Sequence, residues 1–155
     1  ALDAAAPPRL GLVIMHQGSF DAEADAVEHA FDYLNRREEA LIAAGVDPER
    51  IAWDPGFGFG KTLEQNFEVL AATRRFLSSG RPLMAALSRK GSLGRITGRK
   101  NPHERAAASV AGALMAAERG AHILRVHDVR ETADALAVLK AFRHADIRID
   151  ARGRY

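Results

Sequence analysis

Three short segments carry most of the side chains able to bind or move charge. The first, DPGFGFGKT (Asp54–Thr62), ends in Gly-Lys-Thr like a nucleotide-binding loop. A phosphate loop of that type needs a glycine five residues before the Gly-Lys pair. Pro55 stands there, with no N–H to offer a phosphate. The dinucleotide pattern fails as well, because Lys61 occupies the place of its third glycine. The glycines at 56, 58 and 60 instead allow positive φ or a close approach of backbone to a flat ligand. Asp54 can accept two N–H bonds from an amidine-like edge, such as a pterin or guanine ring, or can serve the turn. Phe57 and Phe59 alternate, so at most one faces a ligand and the other belongs to the core.

The second segment, SRKGSLG (Ser88–Gly94), sets two cations just after an apolar run and before a short glycine-flanked helical turn. Neighbours at a strand end diverge, so the reading is Lys90 inward and Arg89 packed or paired outward. Two solvated surface cations are the alternative. The third, RVHDV (Arg125–Val129), alternates, which places Arg125 and His127 on one face. An arginine within an apolar strand is costly unless it meets an anion. That pair reads either as a phosphate or pyrophosphate clamp, or as an ion pair of Arg125 with Asp128 or Asp54. His16 reads as a packed, hydrogen-bonded histidine rather than a catalyst. No Ser-His-Asp set, carboxylate pair or complete metal-ligand cluster is visible in the spacing. The chemistry described is a site for a flat polar heterocycle with an anionic tail, where positioning and leaving-group stabilisation dominate.

The elements that must position these residues follow one phrase, repeated four times. LGLVIM (Leu10–Met15) precedes a helical pattern from about Asp21 to Ala44, with Val27, Ala30, Phe31 and Leu34 on one stripe. IAW (Ile51–Trp53) leads through the glycine loop to a helix opened by a Thr62/Gln65 capping box. PLMAAL (Pro82–Leu87) is a third strand. Asn101 and Pro102 then open a helix whose predicted buried stripe is Val110, Ala113, Leu114 and Ala117, with Gly120 ending it. HILRV (His122–Val126) precedes a helix from about Glu131 to Phe142. Strands alternating with helices imply a parallel sheet with right-handed crossovers. All four strand ends carry polar chemistry, which favours a (β/α)8 barrel, where such ends share one rim, over an open sheet. Four βα units make the C-terminal half of such a barrel, in one domain over 1–155. Leu12, Ile14, Met84 and Leu124 include positions expected to face its interior.

Bulk properties fit that picture. The 155 residues are 47% hydrophobic and 27% charged, with net charge +2 and no cysteine. Disulfides, cysteine-ligated zinc and thiol catalysis are thereby excluded. No apolar run approaches the roughly 20 residues of a membrane span. The basic residues are dispersed with few aromatics among them, which argues against a nucleic-acid surface. The expectation is a cytoplasmic protein without nucleic-acid or membrane partners.

DPGFGFGK, SRKGSLG and RVHDV, in this order and at these intervals, resemble dihydropteroate synthase of folate biosynthesis, from LVIMH onward. The resemblance implies a (β/α)8 barrel, here its C-terminal half. The implied reaction joins 4-aminobenzoate to 6-hydroxymethyl-7,8-dihydropterin pyrophosphate, giving 7,8-dihydropteroate and pyrophosphate with Mg²⁺. It implies pterin binding by Met15, Asp54 and Lys90, with Lys90 and Asp54 central to catalysis. Phe59, Ser88 and Lys90 would border the aminobenzoate, and Arg125 and His127 would hold the pyrophosphate. It implies no metal ligand in this chain, since the expected Asn lies in the N-terminal half. It also implies a homodimer through the later helices, and little activity without that half as partner. Two departures are MHQGSF, shorter than the family's usual segment, and Ala86 where many members have Gly. The rival readings are a pterin-dependent methyltransferase, which has no pyrophosphate to bind, and a non-catalytic half-barrel binding module.

Overall fold

The computed structural model describes residues 10–19 and 25–150. Four short strands alternate with helices along the chain. They are β1 (Leu12–Met15), α1 (Ala26–Ala43), β2 (Ile51–Asp54), α2 (Leu63–Ala71), α3 (Thr73–Phe76), β3 (Met84–Ala85), α4 (Gly91–Thr97), α5 (Ala106–Glu118), β4 (Ile123–Leu124) and α6 (Val129–Asp150). β1 pairs with β2 and β3 with β4, both in parallel, and a parallel bridge from Trp53 to Leu83 links the two pairs. The third and fourth strands are shorter than predicted. A tight turn at Leu87–Lys90 halts the run after β3, and β4 has a strand neighbour on one side only among the described residues.

The helices begin where their caps dictate. Asp25 accepts the N–H groups of Val27 and Glu28, both at 3.0 Å, and so opens α1. The predicted start at Asp21 lies outside the described residues. Ala30 and Leu34 are buried, with Val27 and Phe31 packed beside them, as the stripe requires. The capping box of α2 forms reciprocally: Gln65 N–H meets Thr62 Oγ1 at 3.2 Å, and Thr62 N–H meets Gln65 Oε1 at 2.9 Å. α6 runs on past the predicted Phe142 to Asp150.

The fifth helix differs from expectation. Asn101 caps a 3-10 turn over Pro102–Arg105, accepting His103 N–H at 3.0 Å, and α5 starts only at Ala106. Its buried residues are Ser109, Gly112, Ala113 and Ala116, so the face is turned by about one residue from the predicted stripe. Small side chains win this face because neighbours come close. A Cβ on Gly112 would lie 3.4 Å from Leu87, and Ser109 Oγ is fastened to Arg89 N–H at 2.8 Å.

Alternation then assigns the two faces of the sheet. Ile51, Trp53 and Leu83 sink into a core with Ala26, Ala30, Leu34, Val69 and Phe76, and Ile14 packs against it. Phe57, Leu70, Leu87 and Ala116 form a second cluster, joined by Ala85 and Leu124. Ile14 and Leu124 thus belong to the helix-covered face, contrary to their expected inward position. Leu12 shares that face with Ile14. The opposite face carries Val13 and Met15 in register with Ala52 and Asp54, then Met84 beside Ile123. Of the four positions, only Met84 lies on this uncovered face. The alternation was right in period and reversed in phase at the other three. No helix among the described residues is long and apolar enough to cross a membrane.

One buried polar contact ties the sheet to α1. Trp53 Nε1 donates to Glu38, whose other oxygen accepts Arg81 Nε at 2.7 Å. Replacing Trp53 with Phe keeps an aromatic ring at the edge-to-face contact with Phe31 but leaves a buried carboxylate short of one donor. Trp53→Phe should cost about 1.5–3 kcal/mol, the scale of hydrogen bonds to charged groups, read as a lower urea midpoint.

Candidate functional site

Asp54 ends β2 on the open face and is almost wholly buried, at 4% exposure. Its carboxylate accepts Gly56 N–H at 2.8 Å, so it also serves the turn. Burial raises its pKa above the ordinary value, against the lowering influence of Gly56 N–H, Lys90, Lys61 and Arg125. The loop that follows is wedged against the segment after β1. Gly56 has φ +74°, and a Cβ there would fall 1.8 Å from His16 O. At Gly60, φ is +65° and a Cβ would fall 1.9 Å from Gly18 O. These positions need glycine because another backbone already fills the space.

Lys61 braces that wedge. Its Nζ lies 2.8 Å from His16 Nδ1 and donates to Gly56 O at 2.9 Å and Phe59 O at 3.4 Å. Burial brings its pKa down to about 8, opposed by Asp54 and assisted by Lys90. Asn66, buried at the start of α2, accepts Gly58 N–H and donates to Thr62 O at 2.6 Å. Of the two phenylalanines, Phe57 is core and Phe59 is exposed; the turn closed by Phe59 N–H on Gly56 O at 3.2 Å separates them. Lys90 Nζ lies 4.0 Å from the Phe59 ring centroid and donates to Phe57 O. Burial lowers its pKa, opposed by Asp54.

The tips of β3 and β4 are cross-linked. Arg89 turns away from Lys90 and grips Asp128 with two nitrogens, at 2.5 and 3.2 Å. The outward pairing of Arg89 is therefore present, and Asp128 is taken by Arg89 rather than by Arg125. Ser88 is buried, and its Oγ accepts His127 N–H at 3.1 Å and lies 3.0 Å from His127 Nδ1. Arg125 follows β4 and is exposed, so it is not the costly buried charge its apolar run had implied. Its guanidinium has no ion pair among the described residues, and its charge is felt at Asp54 and Lys90. Met15, half-buried, is the register partner of Asp54. Met15, Asp54, Phe59, Ser88, Lys90, Arg125 and His127 thus all lie at the carboxyl ends of the strands or in the loops that follow them.

A family model described as pterin binding enzyme matches residues 1–127. The chain belongs to the pterin-binding enzyme family. Curated relatives of this family member include dihydropteroate synthase of Neisseria meningitidis serogroup B, 46% identical over 120 residues, covering 76% of this chain and 42% of the relative. Dihydropteroate synthase of Escherichia coli K12 is 41% identical over 148 residues, covering 91% and 52%. Among solved structures, Xanthomonas albilineans dihydropteroate synthase in complex with 7,8-dihydropteroate superposes with a TM-score of 0.87 at 46% identity, covering 92% of this chain and 54% of that one. The same enzyme with 4-aminobenzoic acid gives 0.85, covering 92% and 52%. The chain spans about half the length of the curated relatives it matches.

In this family member, three residues that the spacing does not single out also build the site. Lys61 was visible in the Gly-Lys-Thr ending but was weighed only as a phosphate ligand. Asn66 holds the loop at Gly58 and Thr62, and Arg105 donates to the carbonyls of Arg89, Arg99 and Lys100; these side chain-to-loop contacts follow no periodicity. His16 is the packed histidine expected, at 1% exposure. Its pKa falls from 6.5 to about 4, through burial first, then Lys61 and His29. The unfolded chain therefore takes up this proton before the folded one does, so stability should decline as pH falls from about 6.5 to about 4. His16→Gln should flatten that stretch of the curve, checked by urea midpoints at neutral pH and at pH about 5.

Proposed function

We propose that this chain is the C-terminal half of a dihydropteroate synthase barrel. The observation that carries this reading is the match over 92% of the chain to a solved synthase holding 7,8-dihydropteroate. The open face of the sheet, with Val13 and Ile123 exposed on it, supports completion by further strands. Asp54 and Lys90 hold the pterin: the buried carboxylate accepts ring N–H groups, the ammonium meets an acceptor edge, and Met15 lies against the ring. The aminobenzoate sits beside Phe59, Ser88 and Lys90. Its amine attacks the pterin's exocyclic methylene carbon as the carbon–oxygen bond breaks; the electron pair leaves with pyrophosphate, and the amine loses a proton. Arg125 and His127 receive the pyrophosphate, and the lack of an acidic partner for Arg125 among the described residues supports that role.

Mg²⁺ is implied by the resemblance. No three His, Asp or Glu side chains gather among the described residues, and no step here depends on the ion. Exposed Met115, Val138 and Phe142 on α5 and α6 support a homodimer through these helices. A cytoplasmic location completes the proposal. The lack of an ion pair for Arg125 among the described residues and the Arg125–His127 arrangement favour the synthase over a methyltransferase, which releases no pyrophosphate.

The test is synthase activity of the intact protein that carries this chain, with calorimetry for each ligand. Asp54→Ala should weaken pterin binding by about 1.5–3 kcal/mol; unchanged affinity would remove Asp54 from the site. Arg125→Lys keeps the charge but loses the bidentate fork, so pyrophosphate binding should fall while binding of pterin alone holds. Equal loss of both would mark Arg125 as structural.

A further inference from the structure

The turn after β3 contains the one non-glycine residue with positive φ among the described residues. Lys90 N–H returns to Leu87 O at 3.2 Å, and Arg89, third in that turn, has φ +60°. Glycine fits such a turn position without strain, because a Cβ crowds the neighbouring carbonyl there. Arg89 is nevertheless fixed in place from every side. Its N–H donates to Ser109 Oγ at 2.8 Å, its carbonyl accepts Arg105 at 2.8 Å, and its guanidinium spans Asp128. The remaining guanidinium nitrogen lies 3.0 Å from His103 Nδ1, and Glu131 adds its field. Asp128 adjoins His127, whose N–H and Nδ1 both meet Ser88. Residues 88 and 89 therefore clasp residues 127 and 128 at two consecutive points.

We propose that Arg89 and Asp128 are a positioning pair whose task is to hold His127 against Ser88. Arginine stands at a glycine-type position because only a long, forked cation reaches Asp128 from that turn. A strained residue persists where its surroundings over-determine it, and such sites gather where geometry matters to function. The consequence for ligand binding rests on the anion role proposed above for His127; the geometry does not.

Hydrogen exchange on the intact protein tests the pair without any ligand. Arg89→Gly suits the turn and removes the clasp. The His127 amide should then exchange about tenfold faster relative to the core amide of Trp53, which is bonded to Pro82 O at 2.9 Å. Asp128→Asn should act alike, and the double variant should add nothing to either single one, as expected for partners in one interaction. An unchanged ratio, or additive effects, overturns the pairing. Calorimetry with inorganic pyrophosphate then asks whether the clasp matters to binding. Several-fold weaker binding by Arg89→Gly, with pterin affinity held, is expected; unchanged pyrophosphate affinity alongside faster exchange would make the clasp purely structural. A wild-type protein that ignores pyrophosphate would refute the anion reading, while the exchange ratio still decides the positioning.

Discussion

Burying the carboxylate of Asp54 at the tip of β2 is the constraint around which the neighbouring loops are arranged. An ionised carboxylate out of water is costly unless donors and cations stand close. Gly56 N–H supplies one donor at 2.8 Å, and Lys61 and Lys90 supply the nearby charge. Neither lysine forms an ion pair with it. Each is anchored on backbone carbonyls, Lys61 on Gly56 O and Lys90 on Phe57 O, so the two ammoniums stand near the carboxylate at fixed positions. Burial still dominates and holds the Asp54 pKa high. A ligand that donates N–H bonds to this group would relieve a cost the fold already bears, which makes the site receptive before anything binds.

The glycine loop follows from that constraint. To curl back under Asp54, the chain must pass against the backbone of His16 and Gly18, where no side chain fits at 56 or 60. Lys61 then locks the loop to His16, which burial keeps neutral and therefore able to accept from the ammonium. A loop that resembles a phosphate cradle in composition is thus a packed wedge, with its lysine turned into the structure.

The cations of the site divide by what they touch. Arg89 and Arg105 are consumed in fastening the turns after β3, the former on Asp128 and the latter on carbonyls of Arg89, Arg99 and Lys100. Arg125 stands exposed without an acidic partner among the described residues, its charge felt at Asp54 and Lys90. That division between fastened and available charge separates scaffold from candidate ligand contact, and residue type alone does not reveal it.

Much of this was legible in the sequence because it is local. Periodicity, caps and turn residues depend on neighbours within about four positions, so the four strand–helix units and the Thr62/Gln65 box could be read directly. The glycine spacing alone excluded a Walker loop, and the divergence of adjacent side chains placed Arg89 and Lys90 on opposite sides. What only the tertiary structure decided involves partners far apart in the chain. The phase of β1 and β4 depends on which face the helices cover, so Ile14 and Leu124 turned toward helices where the pattern allowed either side. The face of α5 was set by Leu87 and Arg89 pressing on Gly112 and Ser109. Asp128 could serve Arg89 or Arg125 equally well on paper. The choice fell to the turn at 87–90, which aims one guanidinium across the strand tips and leaves the other exposed.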